Sequence, residues 1–95
     1  MKIETFIPQG KENAIPRAEL ARVLGLPDRT VRRLIEEARE RGELICNDGD
    51  GAGYYMACDI GQIEGQYRKD RARALAVLKR LKTMRRMLRE AGKEV

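Results

Sequence analysis

Arg29, Thr30, Arg32, Arg33 and Glu36 fall within eight consecutive positions of a 95-residue chain. Guanidinium groups can hydrogen-bond a guanine edge or phosphate oxygens in pairs, and a threonine hydroxyl can fix a backbone phosphate. On a helix these five residues lie opposite Val31, Leu34, Ile35 and Ala38, whose three-to-four spacing is that of a buried stripe. One side would pack while the other presents polar, mostly basic groups, which suits a helix that enters a DNA groove.

Such a helix needs an element to hold it. Upstream, Leu20, Ala21, Val23 and Leu24 form a second short amphipathic segment, separated from the first by Gly25-Leu26-Pro27-Asp28. Pro27 cannot continue the earlier helix, and Asp28 is suited to cap the later one, so a sharp, fixed crossing is expected. The spacing predicts helices over residues 16 or 17 to 24 and over 29–41, with Gly25 in a left-handed turn, Leu26 dropping into the core, and Gly42 as a stop. Glu37, Arg39, Glu40 and Arg41 read as a solvated mixed face, which concentrates any DNA contact in the first two turns. Before this pair, Ile3, Phe6 and Ile7 form a short apolar set expected to close one side of the core.

After Gly42 the periodicity changes. Residues 43–46 and 54–58 are short apolar and aromatic runs around a loop rich in glycine and acid, and they predict a β-hairpin. Leu44 and Cys46 should share one strand face and Ile45 the other, with Tyr54 and Met56 opposed to Tyr55. The loop carries Asp48 and Asp50 and no Lys or Arg, so phosphate repulsion disfavours a close approach of its tip to DNA. From Asp59, which can cap with Gln62 as its partner, the chain reads as one helix of about thirty residues, roughly 45 Å long. Ile60, Ile63 and Tyr67 share a face at its start, and Gly61 and Gly65 weaken this stretch. Further along, Ala74, Val77 or Leu78, Leu81, Met84 and Leu88 make an apolar stripe too long to lie on a domain of some sixty residues. Either it pairs with a second copy of the chain, or it folds back or stays in solvent.

The formal charge of +5 is unevenly divided: residues 1–65 carry nine basic and twelve acidic side chains, and residues 66–95 carry eleven and three. Arg73, Arg80, Arg85, Arg86 and Arg89 in the tail, with Arg17 near the first helix, are candidate phosphate contacts. Long basic side chains can equally shield an apolar face with their stems. Two cysteines and no histidine exclude a zinc site of the usual kind, and both cysteines are expected to be buried. No nucleophile lies beside a plausible base, so no enzymatic activity, cofactor or small-molecule substrate is expected. Neither a membrane span nor a secretory leader is expected, and the cytoplasm is the expected compartment.

The run IPRAELARVLGLPDRTVRRLIEEARERGELI followed by Gly53-Tyr54-Tyr55 resembles the winged helix-turn-helix family of bacterial and phage DNA-binding proteins. More narrowly, it is similar to small prophage-type proteins with an arginine-rich C-terminal helix. The resemblance spans about residues 13–90. It implies a mainly α fold with a small β-hairpin, in which residues 1–58 form the winged helix-turn-helix domain and residues 59–95 a basic helix that can dimerise. By the same resemblance, residues 28–41 form the recognition helix, with Arg29, Thr30, Arg32 and Arg33 as DNA contacts, and 44–56 the wing. It implies a transcriptional regulator or a phage replication or packaging accessory. A protein-interaction module is the alternative, because winged helices also bind proteins and the acidic loop departs from the usual basic wing.

Overall fold

The computed structural model describes residues 1–48 and 51–95. It is mainly helical, with helices α1 (Arg17–Leu24), α2 (Asp28–Glu40) and α3 (Ile60–Glu90), and one antiparallel hairpin of strands β1 (Ile45–Asp48) and β2 (Gly53–Met56). Two short 3-10 turns, Ile3–Phe6 and Lys11–Asn13, precede α1.

At eight residues α1 is too short to persist alone, so packing must hold it. Leu20 is fully buried, and Ala21 and Leu24 pack against the core. Gly25 ends α1 in the left-handed conformation expected of it, and the Leu26 N–H bonds back to the Ala21 carbonyl as the Leu26 side chain turns inward. Val31, Ile35 and Ala38 of α2 close against Ile3, Ile7, Leu20, Ile45 and Tyr54. Full burial of residues the size of Val31 or Ile35 contributes about 1.5–3 kcal/mol each. Phe6 does not join this core: it is half exposed, and the 3-10 geometry turns Ile3 and Ile7 inward in its place.

Asp28 does not cap α2 as expected. It is the first helical residue, Pro27 occupies the cap position without a side-chain bond, and the Asp28 carboxylate faces arginines instead. At the other end, α2 stops one residue earlier than predicted, with Arg41 closing it.

The strands are shifted two residues C-terminal and one residue N-terminal, respectively, of their predicted starts, pairing Ile45 with Met56 and Asp48 with Gly53. Strict face alternation fails to describe their burial, because Ile45, Cys46, Tyr54 and Tyr55 are all buried. The α1–α2 core covers one face and α3 covers β1 from the other side. Cys46 is thus buried as expected, whereas Cys58, beyond β2, is exposed.

The outer edge of β2 is closed by the N-terminal segment. Ile15 and Tyr54 exchange both backbone hydrogen bonds, at 2.9 and 2.8 Å. The Met56 N–H donates to the Pro8 carbonyl at 2.7 Å, and the Gly10 N–H donates to the Met56 carbonyl at 2.9 Å. Gly53 begins this strand at a φ of 104°, and a Cβ there would overlap the Ile15 carbonyl.

Asp59 caps α3 by accepting from the Gln62 N–H at 2.8 Å. The Gln62 side chain reaches one residue further back than a standard capping box and accepts from the Cys58 N–H at 3.0 Å. α3 is continuous for 31 residues through Gly61 and Gly65, and the longest dimension of the molecule is 51 Å. Its contact with the hairpin is largely polar: Gln66 is buried and Lys69 half-buried, while of the expected apolar face Ile63 is half-buried and Ile60 and Tyr67 are exposed. From Arg71 onward every residue is exposed, so the second half neither folds back nor touches the rest of the chain. Among the described residues, no helix is long and apolar enough to cross a membrane.

Gly53→Ala should destabilise the protein by more than about 3 kcal/mol, since it combines a disfavoured φ with backbone overlap. Gly51→Ala, at a φ of 84° but in open space, should cost only about 1 kcal/mol. Urea denaturation of the two variants checks the difference. Equal losses would mean that the Ile15 approach constrains nothing.

Candidate nucleic-acid interface

The burial of Val31, Ile35 and Ala38 turns the opposite side of α2 to solvent, where Arg29, Arg32, Arg33 and Glu36 are exposed and Thr30 is half-buried. Arg29 has no ion-pair partner among the described residues. Arg32 Nε lies 3.2 Å from Asp28 Oδ2, and Arg33 Nε lies 4.0 Å from Glu37 Oε1. Glu36 is held by Arg39 at 2.9 Å. Four arginines and four acids make α2 formally neutral, so its positive character is a matter of position: Arg29, Arg32 and Arg33 stand in the first two turns, while Glu36, Glu37 and Glu40 follow them.

Asp28 links the two helices. Arg17 Nε donates to Asp28 Oδ1 at 2.6 Å, and this bond, followed by one to Tyr54, raises the Arg17 pKa above its ordinary value. Arg17 and Arg32 thus share one carboxylate across the α1–α2 junction. The pair is exposed enough that salt screens it, and a phosphate oxygen could replace Asp28 as the partner of either arginine.

Arg39 is not part of a solvated face. Only about a fifth exposed, it donates from Nε to the Ile45 carbonyl at 3.0 Å and from Nη2 to Asn47 Oδ1 at 3.2 Å, and it lies 5.9 Å from the Tyr54 ring centre. It fixes the angle between α2 and the hairpin. Arg41, at the end of α2, reaches Glu4 at 3.0 Å and ties down the N-terminal turn.

Asp48 lies in β1 rather than in the loop where it was expected; Asp50 lies outside the described residues. The Lys69 ammonium donates to Asp48 Oδ1 and to the Asn47 carbonyl, both at 2.8 Å, while Lys11 approaches Oδ2 at 3.4 Å. The hydrogen bond from Lys69, aided by the charges of both lysines, holds the Asp48 carboxyl below its ordinary pKa. Its negative charge is therefore largely compensated from within the fold. Sequence spacing carries a signal for this contact: Gln62, Gln66 and Lys69, four and three apart, mark a polar face beside the apolar one. Burial also pushes the Cys46 thiol and the Tyr55 hydroxyl above their ordinary pKa values, which leaves both neutral and unreactive near pH 7.

On α3, Arg73 pairs with Asp70 at 3.5 Å, while Arg80, Arg85, Arg86 and Arg89 are exposed without ion-pair partners among the described residues. The structure does not bring these tail arginines together with the α2 face; Arg17 alone of the candidate phosphate contacts sits beside it. Ala74, Val77, Leu78, Leu81, Met84 and Leu88 are likewise exposed along the same free half of α3. No group of three or more metal-ligating side chains occurs among the described residues. No protein-family model matches the chain, and neither a curated protein nor a solved structure with significant similarity to it was found.

Because folding lowers the pKa of Asp48, its stabilising contribution is complete above the unfolded carboxylate value and is lost as pH falls through the folded one. Urea midpoints should therefore decline from about pH 4 downward. Asp48→Asn should lower the unfolding free energy at neutral pH by about 1–2 kcal/mol and flatten the acid decline. An unaltered acid decline in that variant would assign the loss to other carboxylates.

Proposed function

We propose that the chain is a non-enzymatic, winged helix-turn-helix module that binds double-stranded DNA, in a bacterial or prophage transcriptional regulator or replication accessory. The observation that carries this reading is the division of α2. Its inward face is closed in the core through Val31, Ile35 and Ala38, while the first two turns of its outward face expose Arg29, Arg32 and Arg33. On this reading α1 and α2 are the helix-turn-helix pair and the hairpin is the wing. α2 enters the major groove, Arg32 or Arg33 bonds a guanine edge or a phosphate, and Thr30 with the helix N-terminus sets the register. The compensation of Asp48 by Lys69 and Lys11 supports this reading, since it removes much of the repulsion expected between that wing residue and phosphate. The arginines of α3 add a salt-sensitive, sequence-independent attraction.

Fluorescence anisotropy with a random-sequence duplex over a salt series tests the proposal. Arg32→Ala combined with Arg33→Ala should weaken binding by about 1–3 kcal/mol. Asp28→Asn should strengthen it, because it frees Arg17 and Arg32 for phosphate. A chain ending at Ala74 retains Lys69 and Asp70 and should bind more weakly with a shallower salt dependence. Unchanged affinity in the double arginine variant would rule out reading by α2.

A further inference from the structure

The free half of α3 bears more apolar surface than a solvated helix needs. Leu75, Val77, Leu78, Leu81, Met84 and Leu88 are each 42–58% exposed and touch no other element of the chain. Residues 63, 67, 70, 74, 77, 81, 84 and 88 alternate steps of four and three, the seven-residue repeat of a helix that packs along another helix. At roughly 100° per residue, this seam runs about a quarter-turn around α3 from the side that Gln62, Gln66 and Lys69 press on the hairpin. It is therefore open from Tyr67 onward, Ile63 at its start being half-buried against the domain. Its N-terminal end runs into an apolar groove of about 290 Å³ beside the hairpin, where Leu44, Ile63 and Tyr67 are among the lining residues.

The positions bordering the seam say what fits it. Arg71 and Arg85 flank it on one side, and Arg73 and Arg80 on the other; Glu64, at the domain end, is the one acid in these two rows and is paired with Arg68. A second copy of the chain is a poor occupant. Aligned in parallel, the two copies set Arg80 against Arg85 and bring Asp70 against Asp70 within the seam. Aligned antiparallel with Leu81 over Val77, they set Arg71 against Arg85 and Arg80 against Arg80. Flanking charges of this kind select the partner in helix pairs, because like charges oppose one pairing while opposite charges favour another.

We propose that the seam of α3 from Ala74 to Leu88 docks an amphipathic helix of another protein whose apolar stripe is bordered by Asp and Glu. The partner's carboxylates meet Arg71, Arg73, Arg80 and Arg85, and its apolar side chains cover Val77, Leu81, Met84 and Leu88. Since α3 is already helical and extended from the domain, this chain needs no folding step to bind, and the ordering cost falls on the partner. The proposal is independent of the DNA-binding reading: Lys79, Lys82, Arg86 and Arg89 point away from the seam and remain available to phosphate when it is occupied.

The probe is a synthetic helix of roughly four heptads with leucine along its stripe and glutamate at the bordering positions. Two controls accompany it, one with lysine at those positions and one with the glutamate helix scrambled at constant composition. Full-length protein is titrated with each by isothermal calorimetry near physiological salt, and sedimentation equilibrium of the protein alone gives its own association state. The expected result is a monomer that binds the glutamate helix at least about tenfold more tightly than either control. Leu81→Asn with Leu88→Asn should abolish that preference without changing the urea midpoint, and Arg73→Glu with Arg80→Glu should move it to the lysine helix. Equal binding of the glutamate and scrambled helices would reduce the effect to diffuse charge attraction and overturn the proposal. So would a protein that dimerises through the seam, or a seam variant whose only defect is in duplex DNA binding.

Discussion

A two-stranded hairpin leaves half of its backbone groups unpaired, and everything else in this fold depends on closing those edges. Along β1, the Ile45 carbonyl accepts from Arg39, the Asn47 N–H donates to Gln66, and the Asn47 carbonyl accepts from Lys69. Along β2, Tyr54 and Met56 bond to Ile15, Pro8 and Gly10. Side chains thus serve as a missing strand on one edge, and an irregular N-terminal segment serves on the other. Buried backbone groups left unpaired would each cost a few kcal/mol, enough to unfold so small a domain.

This constraint also orders the surface. Arg39 is spent on the hairpin, and in binding Glu36 it draws that carboxylate toward the fold and away from the exposed arginines at the start of α2. Lys69 seals β1 and compensates Asp48 with the same ammonium group. A positive cluster at Arg29, Arg32 and Arg33 is left standing on an acidic domain, at one end of a helix oriented by polar bonds at its other end. The free half of α3 is excluded from this arrangement. Its first three turns satisfy β1, and past Arg71 nothing remains within reach for it to pack on.

Much of the architecture was legible from periodicity. Apolar spacing located α1 and α2, the run of helix formers without glycine or proline from Tyr67 to Ala91 gave the length of α3, and Gly25 and Asp59 marked helix ends through backbone preferences that act within a few residues. The candidate face of α2 was legible for the same reason, because the residues opposite a buried stripe must face solvent. Asp28, Phe6 and Cys58 were misread where two local roles were open to the residue and distant neighbours chose between them. Asp28 could cap or pair, and Arg17, eleven residues earlier, decided for pairing. Polar contacts were the least legible: the bond of Arg39 to β1 has no periodic signature, and the spacing of Gln62, Gln66 and Lys69 marks a polar face without naming the strand it meets.

The sequence by itself determined the helices, the hairpin, the turn between α1 and α2, and the separation of a mildly acidic domain from a strongly basic tail. These follow from chain geometry and from counting charge, which require no knowledge of what lies across the core. Only the tertiary structure decided which charges are compensated and which stand free: Asp48 is neutralised by lysines that are 37 and 21 residues away in sequence, while Arg29 has no opposite charge brought to it. It also decided that α3 meets the hairpin through glutamine and lysine rather than through Ile60 and Tyr67. The physical reason is that unpaired strand edges demand hydrogen-bond donors and acceptors at fixed positions, a demand that overrides the gain from burying two more apolar side chains.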